Sequence, residues 1–278
     1  MLIDTHCHLH DKEFFTAEQA EEIIKRAHQN GVEKIVCIGT SHKDSLAARD
    51  FASKHNNVYW TYGIHPEETG VKNVPTGGFW SAAARDLAPS ARGDGPDGRD
   101  PSGDVLTPIA IGEVGLDYHS EGYDREAQIR LFEEMLQLAT DNDLPLSFHV
   151  RNAFDDFFPV VANFPSVRGV VHSFTDNKKT LKKILENTDF YVGVNGLATY
   201  TTLPTPPLER ILLETDAPFL TPAPFRGIIN ESGYILQIAE WLSNKLEVDF
   251  ATIERITTEN AEKLFKFKDA DEKRPKSL

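Results

Sequence analysis

Residues that bind metals or move protons recur in this chain where apolar stretches stop. The first ten residues, MLIDTHCHLH, set His6 and His8 two positions apart after an apolar start. On an extended strand positions i and i+2 share a face. The two imidazoles are therefore expected to point the same way, with Asp4 below them and Cys7 turned to the other side as a core residue. Two imidazoles on one rigid edge make half of a metal site. The ends of later apolar runs supply candidates for the other half: His65 in YGIHP, Glu113 in IGEVGLDY, His149 in SFHVR, His172 in VVHSF and Asp216 in LLETDAP. Any one of these histidines alone reads better as a hydrogen-bonded core residue. Core packing gives no reason for the placement to repeat. Neutral imidazoles with carboxylates suit Zn²⁺, and also Mn²⁺ or Mg²⁺ with added waters, so the donor types leave the metal's identity open.

The elements that must position these residues follow from the apolar pattern. Eight runs read as strands: 2–6, 33–39, 57–66, 108–118, 144–150, 168–174, 189–196 and 209–218. Several are near-continuous Val, Ile and Leu, as expected where both faces of a strand are buried. Helical periodicity is clearest over 124–141 and 234–245. Strands alternating with helices predict a parallel sheet, and eight of them predict an α/β fold of the (β/α)₈ barrel type, whose functional residues come from the C-terminal ends of its strands. Residues 1–268 are assigned to this catalytic barrel and 269–278 to a fraying tail. The segment 73–107, rich in Gly, Pro, Asp and Ser, reads as a flexible insertion between the third and fourth strands.

Composition narrows the partners. The chain has 278 residues with 40% hydrophobic and 26% charged content, which is globular, and no apolar run is long enough to span a membrane. No signal-like start is present, and Cys7 and Cys37 show no paired spacing, so a reducing cytoplasm is expected. A formal net charge of −14 excludes a broad basic surface for nucleic acid. An anionic substrate must be held locally, and divalent metals can do that.

The stretches DTHCHL, GIHP, GEVGLDY, FHVR, HSF and LLETDAPFLTPAPFRG resemble, in order and from residue 1 to about 265, the motifs of TatD-type metal-dependent deoxyribonucleases among the amidohydrolase-like barrels. One departure is NESG at 230–233, where the family has Asn-Glu-Pro after its RG motif. The resemblance implies that His6, His8 and Asp216 hold one metal, that His149 and His172 hold a second, and that Glu113 bridges both. Two divalent ions so placed would activate water and hold the attacking and leaving oxygens of a phosphodiester. Asp216 would orient or deprotonate that water, with Glu113 and Asp216 as the catalytic pair. The implied activity is hydrolysis of DNA, 3'-5' from strand ends or single strands. The alternative is another binuclear-metal hydrolase of these barrels, acting on a lactone, amide or phosphotriester. A non-enzymatic metal protein fits less well, since structural zinc sites are closed and usually Cys-rich.

Outside the ligand set, His65 reads as a phosphate or leaving-group contact. Arg151, two residues after His149 and on its face, reads as a charge clamp on phosphate. Arg226, in the FRG sequence, and Lys178 and Lys179, which open the KKTLKK run, are further candidate contacts to the DNA backbone. His28, His42 and His55 read as solvated helix residues, and His10 and His119 are not expected to be ligands.

Overall fold

The computed structural model describes residues 1–70 and 107–267. Its strands are β1 (Leu2–Cys7), β2 (Val32–Cys37), β3 (Val58–Tyr62), β4 (Ala110–Asp117), β5 (Leu146–Arg151), β6 (Gly169–Val171), β7 (Tyr191–Val194) and β8 (Ile211–Leu213). They form one parallel sheet in sequence order. The seam between β8 and β1 is closed by the Asp216 amide donating to the His6 carbonyl at 2.8 Å and the His8 amide donating to the Ala217 carbonyl at 2.7 Å. The (β/α)₈ barrel is thus sealed at residues of the candidate site.

The α-helices are α1 (Ala17–Gln29), α2 (His42–Ala52), α3 (Arg125–Asp141), α4 (Phe154–Ala162), α5 (Lys178–Asn187), α6 (Ile235–Leu246) and α7 (Phe250–Phe265). Their starts are chemically marked. Thr16 and Gln19 form a reciprocal capping box on α1, and Asp124 and Asn177 cap α3 and α5 through their side chains. The buried faces, such as Ile23, Ile24 and Ala27 on α1 or Phe132, Met135 and Leu136 on α3, lie against the strands. A second apolar cluster joins Ile3, Ala110, Val170, Tyr191 and Leu212 to Ala261, Leu264 and Phe265 of α7. Since β4 and β8 are far apart in the strand order, this cluster fills the barrel interior, and α7 closes it at the end away from the candidate site.

Three differences from the sequence reading have local causes. Between β7 and β8 the described chain holds only 3₁₀ turns, Gly196–Thr199 and Leu208–Arg210. Pro204, Pro206 and Pro207 remove helix donors there. The β1/β2 ladder shifts register between Asp4 and Cys7, so strict alternation fails. Asp4 does not lie under the two imidazoles. It accepts hydrogen bonds from the amide (2.9 Å) and hydroxyl (2.6 Å) of Thr215. Finally, His55 lies beyond α2 and is half-buried, and His42 is half-buried with its Nδ1 3.1 Å from the Tyr62 hydroxyl, so neither is the solvated helix residue expected. The predicted insertion at 73–107, apart from Thr107, and the predicted tail lie outside the described residues.

Candidate metal centre

Strand ends and the loops after them converge at one mouth of the barrel. His6 and His149 are on β1 and β5, and Glu113 is on β4. His8, His65, His172 and Asp216 lie one to three residues past β1, β3, β6 and β8. Asp216 adopts a left-handed backbone at φ 58°, held by its amide on His6 and by the Phe219 amide donating to its carbonyl at 2.8 Å. That conformation is uncommon outside Gly, Asn and Asp.

The donors face one another. His6 Nε2 lies 3.6 Å from both Glu113 Oε2 and Asp216 Oδ1, and His8 Nε2 lies 3.5 Å from Asp216 Oδ1. On the other side of the same carboxylate, Glu113 Oε1 meets His149 Nδ1 at 2.6 Å, His172 Nε2 at 3.9 Å and His65 Nε2 at 3.9 Å. His172 sits between the two groups, its ring stacked on His6 at 3.4 Å and its Nε2 3.8 Å from Asp216 Oδ1.

These residues fit divalent cations on two grounds. Donors bound at ~2.1 Å around a tetrahedral cation stand ~3.4 Å apart, close to the spacing around His6, His8, Asp216 and Glu113 Oε2. His6 Nε2 is also fully buried without a hydrogen-bond partner, a costly state for a polar atom unless a ligand meets it. The opposite ring nitrogens have partners close behind them, as is usual for metal-binding imidazoles. His8 Nδ1 is 3.1 Å from the Ile38 carbonyl, His6 Nδ1 is 3.3 Å from the Ser147 hydroxyl, and His172 Nδ1 is 3.0 Å from Glu214 Oε1. His149 turns its Nε2 to Asp117 Oδ2 at 2.8 Å.

Electrostatics reinforce this picture. Burial raises the pKa of Glu113, but the hydrogen bond from His149 and the nearby His6 and His172 rings outweigh it and hold the carboxyl well below its usual range. Burial likewise works against Asp216, and the neighbouring His172 with His8 brings it below its ordinary value. Burial pushes His149 and His172 down, yet the surrounding carboxylates raise them to about 9 and about 10. Any proton on the ligating nitrogens of these imidazoles must leave before they can bind a cation. His65 is different: burial lowers it to about 4, leaving a neutral imidazole.

The other candidates are less drawn in. Arg151 is the exposed last residue of β5, paired in register with Asp117, and its charge helps lower the pKa of Asp117. Arg226 is exposed with its guanidinium 4.1 Å over the Tyr200 ring. Lys178 and Lys179 are exposed at the start of α5, which follows β6. Cys7 is fully buried, as expected, and His10 is buried against Asp44 at 3.0 Å rather than at the cluster. In the divergent NESG segment, Asn230 donates to the Thr215 and Phe219 carbonyls and so braces the Asp216 loop, while Glu231 forms a bidentate pair with Arg26 that ties the segment to α1.

Sequence reasoning passed over Asp117 and Glu214. Both stand in the quoted motifs, in GLDY and LLETDAP, as second carboxylates beside a candidate already taken from the same motif. Glu214 is wholly buried in the barrel, beside Gly193, where any side chain would collide with its carboxylate. Its Oε1 accepts from the Ser173 amide at 2.7 Å and the Asn195 amide group at 3.3 Å. Gln128 of α3 satisfies both backbone groups of Asp117 at 2.8 Å.

Known proteins agree with this architecture. Residues 3–266 match the family model described as TatD related DNase. The chain is 31% identical to the metal-dependent hydrolase YabD of Bacillus subtilis, over 96% of this chain and 99% of that one. It is also 31% identical to the 3'-5' ssDNA/RNA exonuclease TatD of Pectobacterium carotovorum, over 88% and 93%. The crystal structure of YjjV, a TatD homologue from Escherichia coli, superposes with a TM-score of 0.81 at 25% identity, over 96% and 98% of the two chains. A closed (β/α)₈ barrel, a convergent His and carboxylate cluster at its mouth and a match along nearly the whole sequence have one common explanation: the chain belongs to the TatD related DNase family and is a metal-dependent hydrolase.

Proposed function

We propose that this chain is a deoxyribonuclease that hydrolyses phosphodiester bonds in DNA, working 3'-5' from strand ends or single strands in the cytoplasm, with residues 1–268 as one catalytic unit. His6, His8 and Asp216 would hold one divalent cation and His149 and His172 a second, with the Glu113 carboxylate serving both. Zn²⁺, Mn²⁺ and Mg²⁺ all suit the donors. The observation that carries the proposal is the division of Glu113: Oε2 faces His6, while Oε1 faces His149 and His172. One carboxylate serving two donor groups is what a binuclear site requires. Support for the substrate comes from the Pectobacterium relative and its printed activity.

Bound cations would lower the pKa of water and neutralise charge on a phosphodiester. The chain's own groups do the rest. The Asp216 carboxylate is ionised and 14% exposed, so it can orient the attacking water and accept its proton. Neutral His65 can donate a hydrogen bond to a phosphate or leaving oxygen. Arg151, Arg226, Lys178 and Lys179 supply positive charge around the mouth.

The test is digestion of end-labelled single-stranded, double-stranded and closed circular DNA with and without added divalent metal. Trimming of linear strands should outpace nicking of circles. Glu113→Ala and Asp216→Asn should each lower the rate about 100-fold or more, with an unchanged circular dichroism spectrum, since Asn tolerates the left-handed backbone at 216. An active Asp216→Asn protein would overturn its assigned role. Metal-dependent turnover of a lactone or phosphotriester without DNA cleavage would instead establish the other hydrolase reading.

A further inference from the structure

Two phenylalanines lie exposed at the lip of the metal centre. Phe219 is 47% and Phe14 39% exposed, although phenylalanine is normally a core residue. They come from the loops after β8 and β1, which meet at the seam closing the barrel, and their rings pack edge to face at 5.3 Å. Phe219 is also 6.4 Å from the His8 ring. Its placement is built: its amide donates to the Asp216 carbonyl at 2.8 Å, and its carbonyl accepts from Asn230 at 2.6 Å. The remaining exposed apolar residues nearby, Ile228 and Ile229, continue the same loop.

We infer that Phe14 and Phe219 form a stacking platform for the unpaired base next to the scissile phosphate. This rests on the nuclease reading and adds how that site selects its substrate. A phosphate held at His8 and Asp216 has its neighbouring nucleoside within one nucleotide's reach of the Phe219 ring. Every base offers a π-face, so stacking on aromatic side chains is tolerant of sequence. A base inside a duplex has both faces covered, and a terminal one is tied by pairing to the opposite strand, so the platform favours frayed ends and single strands. Charge limits the occupant to a terminal base. Beyond Phe14 the groove between α1 and residues 229–231 is lined by Glu18, Glu22, Glu231 and Arg26; Arg26 is already paired with Glu231 and Lys25 with Glu22, so the remaining negative charge of Glu18 disfavours a continuing phosphate chain.

The experiment compares the metal-loaded wild type with Phe14→Ala, Phe219→Ala and Phe219→Trp on single-stranded oligonucleotides whose terminal residues carry bases or abasic spacers. The alanine variants should raise KM about tenfold for the natural strand, within the range for one stacked base, and leave kcat within about twofold. Neither should change KM on the abasic strand, and Phe219→Trp should restore it. In metal-free protein the indole of Phe219→Trp should be quenched by oligothymidylate beyond any quenching of the wild type. Equal KM changes on both strands, or no added quenching, overturn the platform. A dimer by light scattering that Phe219→Ala converts to monomer overturns it too, because the patch would then be covered by a second copy. Wild type that cleaves no strand overturns the nuclease reading and the platform together, whereas cleavage indifferent to the terminal base overturns the platform alone.

Discussion

At the scale of single residues, each imidazole of the centre is set by a partner on its far nitrogen. Glu214 has the strongest case, being wholly buried and touching His172 Nδ1 at 3.0 Å. Its Oε2 has no hydrogen-bond partner, so an amide nitrogen fits that position without displacing the Oε1 contacts. Glu214→Gln should therefore keep the barrel fold, at a cost of about 1–3 kcal/mol for amide hydrogens left without an acceptor, while losing the negative charge that holds the His172 ring. Such changes behind a metal ligand lower affinity about 10- to 100-fold. Competition with a chromophoric chelator measures this, and affinity within about twofold of wild type would remove Glu214 from the centre. The motifs had exposed the residues that face the cavity. Glu214 and Asp117 escaped because nothing in a linear pattern separates a carboxylate that meets a cation from one that meets the back of an imidazole.

At the scale of elements, the loop after β1 is tied to the start of α2 by His10 and Asp44, 3.0 Å apart. Burial disfavours the charged form of His10, but hydrogen bonding to Asp44, together with the neighbouring Cys37, wins and raises it from 6.5 to about 9. Burial would raise Asp44, and the same contact with His10 brings it from 3.8 to about 2. The raised histidine contributes stability that is complete below pH 6.5 and is lost as pH climbs through about 9. The depressed carboxylate contributes stability present above pH 3.8 and lost as pH falls through about 2. His10→Gln should therefore cost about 2 kcal/mol at pH 6 and clearly less at pH 9.5, as read from urea unfolding. A cost independent of pH would show that the pair is not ionic. Periodicity in the sequence marked α3 and α6, but not the shift in β1 that moves Asp4 away from the two imidazoles, because a bulge is decided by pairing with β2.

At the scale of the whole molecule, an acidic protein meets a polyanion. With a net charge of −14, binding cannot draw on a wide basic face. Among the described residues, the exposed cations at or after the strand ends include Arg151, Arg226, Lys178 and Lys179. Affinity for DNA should accordingly fall only shallowly with salt, as for about one to three neutralised phosphates. The reading is the slope of log KM against log salt between about 50 and 200 mM, the range over which many-contact binders weaken steeply. A slope matching about six or more contacts would reveal a binding surface beyond the mouth. Doubling the negative side with Lys178→Glu and Lys179→Glu should raise KM more than it lowers kcat.

The sequence by itself determined the barrel and the residues that gather in it. Buried parallel strands need unbroken β-branched runs, and functional side chains at their ends interrupt those runs with His, Glu and Asp, so both signals are local. Only the tertiary structure decided how those residues face one another. His6 and Asp216 are 210 positions apart in the chain yet share the seam that closes the barrel. Glu113 divides its two oxygens between donors from β1 and from β5. The exposed pairing of Phe14 with Phe219 is likewise invisible in the chain, where each reads as one more core aromatic. Barrel closure brings the first strand to the last, and no pattern confined to neighbouring residues carries that distance.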